Sequence, residues 1–234
     1  RTKALPAPAP APVIREASVR ALYSNAYTPV CTVTNYCENW WQAATLHNDI
    51  TLGENDNVLY YDNIPASSAF GWSFALPKID AAGFQKLHFD IYPMKSGTIE
   101  LYPVKEAGGE YPRASQTLVA ETWNEVVLDF TNETIEDIFK QLGFRNYSNL
   151  GAFFIDNVYF FKTEEATLDQ DATTPDALNA LNGAIANVEI SRTLLANGNF
   201  KTLCLPFSMN AEQIAETFGD CEILMLTGGR MKTE

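Results

Sequence analysis

The sequence predicts an all-β protein, with a jelly-roll β-sandwich over residues 17–162 and a small β-rich segment with one short helix after it. Three observations support this fold class. Short stretches alternate apolar and polar side chains, which is the period of a half-buried strand. Clusters of Gly, Pro, Asn and Asp separate these stretches, as in antiparallel sheets. Long helical stretches do not alternate with the strands, so a parallel sheet of βαβ units is not expected.

The strands of the predicted sandwich can be followed in order along the chain. Residues 86–92 show the pattern most clearly, because Leu87, Phe89 and Ile91 fall on one face and the intervening residues on the other. The predicted strands are 18–23, 57–61, 71–76, 86–92, 98–104, 116–119, 123–130 and 151–162. A helix is predicted at 134–142, where apolar residues recur at helical spacing and Gly143 ends the pattern.

The composition of the chain excludes several classes of protein. Of its 234 residues 46% are hydrophobic, so a packed core is expected. The net charge is −13, from 16 Lys and Arg against 29 Asp and Glu. Nucleic-acid binding depends on basic side chains that meet phosphates, so a nucleic-acid partner is not expected. No apolar stretch is long enough for a membrane span to be predicted.

Residues 1–16 are predicted to be a stiff spacer in front of the sandwich. Ala and Pro alternate between Leu5 and Pro12, which favours an extended polyproline II conformation. The chain begins with Arg1 instead of Met, so we expect a processed chain whose targeting segment has been removed. Together with the family resemblance given below, this predicts a secreted or outer-membrane-surface protein, which a lipid on the removed segment would anchor. An artificially shortened chain would begin in the same way.

The composition changes after the predicted sandwich. Residues 163–176 are polar and acidic and are predicted to be a linker. Residues 177–234 form a small β-rich domain that is short for a core of its own, so we expect it to pack on the sandwich or to be cut short. Its predicted elements are a short helix at 176–181, strands at 186–194, 201–207 and 221–226, and a helix at 211–219 between Asn210 and Gly219 as caps.

The cysteines allow more than one interpretation. Cys31 and Cys37 are close enough in sequence to form a disulfide in an oxidising compartment, and the sequence leaves this open. Cys204 and Cys221 have apolar neighbours and are expected to be buried thiols. Metal-binding cysteine spacings do not occur in the sequence, so a structural zinc site is not expected.

Catalytic motifs are not found in the sequence. It has no nucleophile elbow, phosphate-binding loop or dinucleotide-binding glycine pattern. Its two histidines, His47 and His88, lie in no recognised motif, so nucleophilic catalysis has little support. A glycosidase needs only two facing carboxylates, but no motif selects such a pair among the 29 acidic residues. We therefore predict a protein that is not an enzyme, and a glycoside hydrolase or its accessory is the last alternative.

Five stretches carry a resemblance to a known family: 22–28, 39–42, 59–63, the strand that begins at Trp123, and 155–160. Together they resemble the galactose-binding-like β-sandwiches that occur as carbohydrate-binding modules, especially in surface proteins of gut Bacteroidetes. Asn25 stands where that family commonly has Asp. Residues 192–207 resemble a β-rich segment that recurs in Bacteroidetes surface proteins and has no known chemistry. The resemblance implies a binding module, with a polysaccharide or other glycan as partner.

Aromatic and polar residues are interleaved at 39–42 and 60–63, where the resemblance is clearest. Sugars present apolar faces that stack on aromatic rings and hydroxyls that need polar partners. We therefore predict non-catalytic glycan binding by stacking on Trp40, Trp41, Tyr61 and Trp72, with hydrogen bonds from Asn39, Gln42 and Asp62. For any one of these rings taken alone, packing in the core or at its rim is the better expectation. The alternative function is that of a structural or protein-docking module, with other domains of a larger surface protein as partners.

Asp156 lies in the middle of an apolar strand, where an unpaired charge would be costly. In related sandwiches a Ca²⁺ ion often joins the loop after the first strand to the last strand. The resemblance thus implies a structural Ca²⁺ with Asn25, Tyr27 and Asp156 as ligands. The alternative is that backbone hydrogen bonds satisfy Asp156 and Asn157 at a sheet edge.

Overall fold

The computed structural model describes residues 5–42, 44–75, 79, 81–106, 108–111, 113–131, 139–169, 173–191, 209–219, 224–227 and 230–233. The chain divides into two compact units, Arg1–Ser191 and Arg192–Glu234. The first unit contains the sandwich.

A 3₁₀ turn at Glu16–Ser18 leads into the strands of the sandwich. They are β1 Val19–Tyr23, β2 Val33–Trp41, β3 Thr45–Leu52, β4 Asp56–Asp62, β5 Ser68–Phe74, β6 Lys86–Pro93, β7 Gly97–Lys105, β8 Ala114–Leu118, β9 Asn124–Asp129, β10 Phe139–Asn146 and β11 Phe153–Phe161. A six-stranded sheet has the order β3-β4-β11-β6-β9, with β1 also paired to β11. A five-stranded sheet has the order β2-β5-β10-β7-β8.

The core lies between these two antiparallel sheets, as the alternation of the strands predicts. In β6 the inward Leu87, Phe89 and Ile91 are each 0% exposed. Every residue of β11 is buried, because this strand is central in its sheet and is covered on both faces. Burying one such large apolar side chain stabilises the fold by roughly 1.5–3 kcal/mol. The all-β, jelly-roll sandwich prediction is confirmed.

The helix predicted at 134–142 is wrong over its last residues. Phe139–Asn146 is strand β10, and residues 132–138 lie outside the described part of the chain. Leu142 and Phe144 alternate inward with Gly143 between them, and β10 pairs with β5 on one side and β7 on the other. Pairing on both edges outweighs a local helical spacing of apolar residues.

Residues 1–16, predicted to be a free spacer, are instead packed against the sandwich where the structure describes them. Trp123 Nε1 donates a hydrogen bond to the Ala7 carbonyl at 2.9 Å. Ile14 is 8% exposed in a cluster with Tyr27 and Tyr159 on the outer side of β1 and β11. The extended segment predicted from the Ala-Pro alternation thus covers a sheet face.

The region predicted as a linker, residues 163–176, contains a strand. β12 at Thr163–Asp169 pairs in parallel with β13 at Ile185–Ser191, and helix α1 at Pro175–Asn179 lies between them in the chain. Thr174 caps α1 by accepting a hydrogen bond from the Ala177 amide. These elements belong to the first compact unit, so the division of the chain falls after Ser191 instead of after residue 176.

Arg15 fastens this parallel pair to the sandwich. Its Nη2 atom lies 2.9 Å from Glu164 Oε1, and its amide donates to the Gly183 carbonyl at 2.6 Å. Ser18 Oγ and Lys162 Nζ also reach Glu164 Oε1, at 2.8 and 3.1 Å. Hydrogen bonds from Arg15, Ser18 and Lys162 lower the pKa of Glu164 to about 2.

We expect Glu164→Gln to lower the free energy of unfolding at neutral pH by about 1 kcal/mol, since solvent screens this partly exposed group. A lowered pKa gives stability that is present above the ordinary pKa of a glutamate and lost as pH falls toward about 2. The difference between variant and wild type should therefore vanish in strong acid. Urea titrations at neutral and acid pH measure it, with the exposed Glu189→Gln as control. An equal loss for both variants would contradict the role of the Arg15 contact.

The second unit contains helix α2 at Ala211–Phe218 and a hairpin of β14 Leu224–Thr227 with β15 Arg230–Thr233. The Asn210 side chain accepts from the Gln213 amide at 2.8 Å, and the Gln213 side chain accepts from the Asn210 amide at 2.9 Å. This capping box and Gly219, with φ of 67°, confirm the predicted ends of the helix. The predicted strand at 201–207, and parts of those at 186–194 and 221–226, lie outside the described residues.

Cys31 and Cys37 are free, half-buried thiols. Burial raises the pKa of each to about 11, so neither is a reactive thiolate at neutral pH. Cys204 and Cys221 lie outside the described residues. Within those residues, no helix combines the length and the apolar character that crossing a membrane requires.

Candidate functional site

Two glycines face each other at the centre of the five-stranded sheet. Gly71 in β5 pairs with Gly143 in β10, which in turn pairs with Tyr102 in β7. Their neighbours Trp72 and Phe144 point into the core, so the faces of the glycines that lack a side chain point outward. The outer face of the sheet therefore carries no side chain at these two positions.

Two aromatic rings occupy the space above the glycines. A Cβ atom at Gly71 would lie 2.4 Å from the ring of Trp40. A Cβ atom at Gly143 would lie 2.4 Å from the ring of Tyr102 and 2.9 Å from that of Trp40. Any side chain at either position would displace a ring, so the glycines are what allow the rings to lie against the backbone. We call Trp40, Tyr102, Gly71 and Gly143 the platform.

The two rings of the platform differ in exposure. Their centroids are 6.3 Å apart and their planes are tilted by 39°. Tyr102 is only 1% exposed, and the Arg113 guanidinium lies 4.9 Å from its ring centroid. Burial raises the pKa of the Tyr102 hydroxyl to about 12. Trp40 is only half-buried. Tyr102 thus supports Trp40, which is the ring that a ligand can reach.

A polar network borders the platform on the side of β2. Gln141 Nε2 donates to Glu38 Oε2 at 2.9 Å and to Ser73 Oγ at 3.1 Å, and Ser73 Oγ donates to the same Glu38 oxygen. Glu38, Ser73 and Gln141 lie on three adjacent strands, and each is half-buried. Because each side chain holds the others, donors and acceptors are fixed beside the ring before any ligand arrives.

Charged side chains border the platform on the side away from β2. Arg113 forms ion pairs with Glu110 at 2.6 Å and with Glu100 at 3.7 Å. Arg145, two residues after Gly143 in β10, donates to the Tyr147 hydroxyl at 2.9 Å. The positive charge of Arg113 is thus matched by two carboxylates.

The structure separates the predicted ligand-binding residues into two groups. Asn39, Trp40 and Trp41 end β2 and Gln42 follows it directly, and Trp41 is 61% exposed. Tyr61 and Trp72 are each 0% exposed, so their predicted stacking on a ligand is wrong. Both alternate inward: Trp72 Nε1 donates to the Tyr61 hydroxyl at 2.8 Å, which donates to the Tyr36 carbonyl at 2.6 Å.

Asp62 ends β4 in the six-stranded sheet, away from the platform strands. Its Oδ2 atom lies 3.4 Å from His47 Nε2, and its Oδ1 atom accepts from the Asn63 amide group at 2.9 Å. The structure therefore does not bring Asp62 together with Trp40.

Sequence reasoning missed Tyr102, Glu38, Ser73 and Gln141. The one signal that could have indicated them is the pair of glycines inside strands, since a glycine in a strand interior often marks a close approach of another group. Gly143 was instead assigned to the end of a helix.

Two of the three predicted calcium ligands, Tyr27 and Asn25, have hydrogen-bond partners within the protein. The Tyr27 hydroxyl donates to the Ile14 carbonyl at 2.5 Å, in the cluster with Tyr159. The Asn25 amide group donates to the Asn55 carbonyl at 3.0 Å and to Asp56 Oδ1 at 3.1 Å. Within the described residues, no group of three or more His, Cys, Asp or Glu side chains is arranged to hold a metal ion. Calcium binding stays a prediction.

Asp156 instead belongs to a buried group of carboxyls on the outer face of the six-stranded sheet. A bulge in β11 places Asn157 at φ of 49°, and Asp156 Oδ1 accepts from the Asn157 amide at 2.7 Å. Asn157 Nδ2 donates to Asp90 Oδ2 at 2.9 Å. Burial and the neighbouring Asp56 raise the pKa of Asp156 to about 8. The hydrogen bond from the Asn157 amide acts in the opposite direction and lowers this pKa, but burial and Asp56 outweigh it.

The comparisons with known proteins give structural neighbours only. No family model matches the chain, and no curated protein matches it. One mutant of the family 29 carbohydrate binding module CBM29-2 is 16% identical, with a TM-score of 0.41 over 61% of this chain and 90% of that chain. A second mutant, complexed with mannohexaose, is 15% identical, with a TM-score of 0.41 over 61% and 89%. Another family 29 module is 15% identical, with a TM-score of 0.42 over 61% and 86%.

Proposed function

We propose that the chain is a non-catalytic glycan-binding module whose site is the platform on the five-stranded sheet. The observation that carries the proposal is the Trp40 ring, which lies across Gly71 and Gly143 beside fixed polar side chains. The apolar C–H face of a sugar ring stacks on such an indole. Glu38 and Gln141 offer acceptor oxygens for the hydroxyls at its rim, since both N–H groups of Gln141 already donate to Glu38 and Ser73.

The ligand that suits this site is a neutral glycan. Arg113 is already paired with Glu110 and Glu100, so its positive charge is balanced before a ligand arrives. The acidic net charge of −13 also disfavours polyanions. A secreted or cell-surface location, as in the Bacteroidetes surface proteins that the sequence resembles, would expose the module to polysaccharides.

Trp40→Ala should weaken glycan binding by about ten- to one-hundred-fold, since the ring is the central contact of the site. A glycan array identifies the ligand for the wild-type protein, and titration calorimetry on the best neutral glycan measures the loss. Gly143→Ala should weaken binding as well, because its methyl group must push aside the rings of Tyr102 and Trp40.

Trp41→Ala is the matched control, because Trp41 is the next residue and is 61% exposed. Trp41→Ala should weaken glycan binding less than Trp40→Ala does. Equal losses would mean that Trp41 contacts the glycan as closely as Trp40 does, and that the platform alone is not the site. If the wild-type protein binds no glycan on the array, the docking-module alternative replaces the proposal.

A further inference from the structure

The outer face of the six-stranded sheet carries a continuous row of aromatic side chains. We call Tyr60, Tyr92, Trp123 and Phe154 the aromatic strip. Tyr60 stacks on Phe154 with centroids 4.4 Å apart. Tyr92 meets Phe154 edge-on at 6.1 Å and Trp123 edge-on at 5.6 Å. These residues come from β4, β6, β11 and the position before β9, so the strip runs across the sheet.

Residues 5–10, which we call the strap, lie along this strip. The strap forms neither helix nor strand, and its backbone is held by side chains at three points. Trp123 Nε1 donates to the Ala7 carbonyl at 2.9 Å, Asp56 Oδ2 accepts from the Ala9 amide at 3.3 Å, and Asn157 Nδ2 donates to the Pro10 carbonyl at 3.3 Å. An indole that donates to a carbonyl of a proline-rich segment, within a row of aromatic rings, is the mode by which proteins recognise polyproline II peptides.

The aromatic strip forms a groove under the strap, and the shape of this groove suits prolines. The Pro8 ring lies 3.0 Å from the position that a Cβ atom would take at Gly53, so the close approach of this proline depends on a glycine. The groove is not filled at its other end. A cavity of about 250 Å³ is lined by Leu5 and Pro6 on one side and by Tyr60 and Phe154 on the other. Leu5 itself is 58% exposed.

We propose that the aromatic strip is a docking groove for uncharged, proline-rich peptides in the polyproline II conformation, and that the chain's own strap occupies it. The strap shows the chemistry of the occupant: small residues alternating with prolines, recognised through backbone carbonyls. A peptide supplied by another protein must compete with the strap, whose effective concentration is high because it is part of the same chain. This site is separate from the platform, which lies on the other sheet.

The test uses the whole chain and a fluorescent peptide with the sequence of residues 5–12. The test compares the wild type with a triple variant, Pro6→Gly, Pro8→Gly and Pro10→Gly, which we call the loosened chain. Its strap is more flexible and should bind the groove less tightly. Fluorescence polarisation should show that the peptide binds the loosened chain at least about ten-fold more tightly than the wild type. Adding Trp123→Phe to the loosened chain should weaken binding by about five-fold, because one hydrogen bond is lost. Trp41→Phe is the matched control and should change nothing.

A second measurement follows the groove directly. The indole N–H resonance of Trp123, identified by its absence in Trp123→Phe, should shift in the loosened chain and return toward its original position when the peptide is added. Circular dichroism shows that each variant is folded. Equal affinity of wild-type and loosened chains, equal binding of a peptide with Gly in place of Pro, or a Trp123 resonance that does not move would each overturn the proposal.

Discussion

Trp72→Ala should lower the free energy of unfolding by about 3–5 kcal/mol, the largest effect that we expect from a single substitution. The Trp72 side chain is 0% exposed and packs against Tyr36 and Phe144, with ring centroids 5.1 and 5.7 Å away. Its removal leaves a cavity and takes away the donor to the Tyr61 hydroxyl. Urea unfolding followed by circular dichroism measures the loss.

Trp41→Ala is the contrasting case, because the same change is made at a ring that is 61% exposed. It should alter the free energy of unfolding by less than about 0.5 kcal/mol. If Trp72→Ala lowers the free energy of unfolding no more than Trp41→Ala does, Trp72 is not packed in the core. The prediction that Trp72 contacts the ligand would then stand.

The second large effect concerns pH. The pKa of Asp156 is raised to about 8, first by burial and then by the charge of Asp56. The pKa of Asp90 is also raised, chiefly by burial, although His88 and Asn157 act in the opposite direction. An acid with a raised pKa binds its proton more tightly in the folded state. Its contribution to stability is therefore full below the pKa of the unfolded chain, about 4, and is lost as pH rises toward about 8.

We expect the free energy of unfolding to fall by on the order of a few kcal/mol between about pH 5 and about pH 8.5. Asp156→Asn should flatten this dependence, since an amide cannot ionise. Urea titrations in the presence of EDTA measure it. A wild-type protein whose stability rises over this range would contradict the assignment. Added Ca²⁺ is a separate arm: if the predicted calcium site forms, the ion should raise the unfolding temperature most at high pH, where the carboxyls are ionised.

The fold class was predictable because it depends on local patterns. The alternation in 86–92 already places Leu87, Phe89 and Ile91 on one face, and all three are buried. The helix α2 was predictable for the same reason, since Asn210 and Gly219 cap it from within a few residues. Signals of this kind need no knowledge of which strand lies beside which.

The site was less predictable because it depends on strand order. Trp40 was identified, but its support by Tyr102 follows from a pairing of β7 with β10, and residues 139–142 of β10 had been assigned to a helix. The sequence predicts ligand contacts for both Tyr61, which lies in the interleaved stretch 60–63, and Trp72. Only the pairing of Tyr61 with Phe153 and of Trp72 with Leu142 shows that they face inward. The strap could not be foreseen either, because an Ala-Pro repeat has the same local conformation whether it is free or docked.

The placement of Val19 opposite Phe161 has a mechanical consequence. The chain enters β1 and leaves β11 at the same end of an antiparallel pair, so a pulling force on these two points would separate the strands one hydrogen-bonded pair at a time. Such unzipping resists force poorly compared with shearing. The contact of Arg15 with Glu164 lies just outside this pair and would bear the load first. A force applied to the chain just outside Arg15 and Glu164 would therefore break this ion pair and then separate β1 from β11.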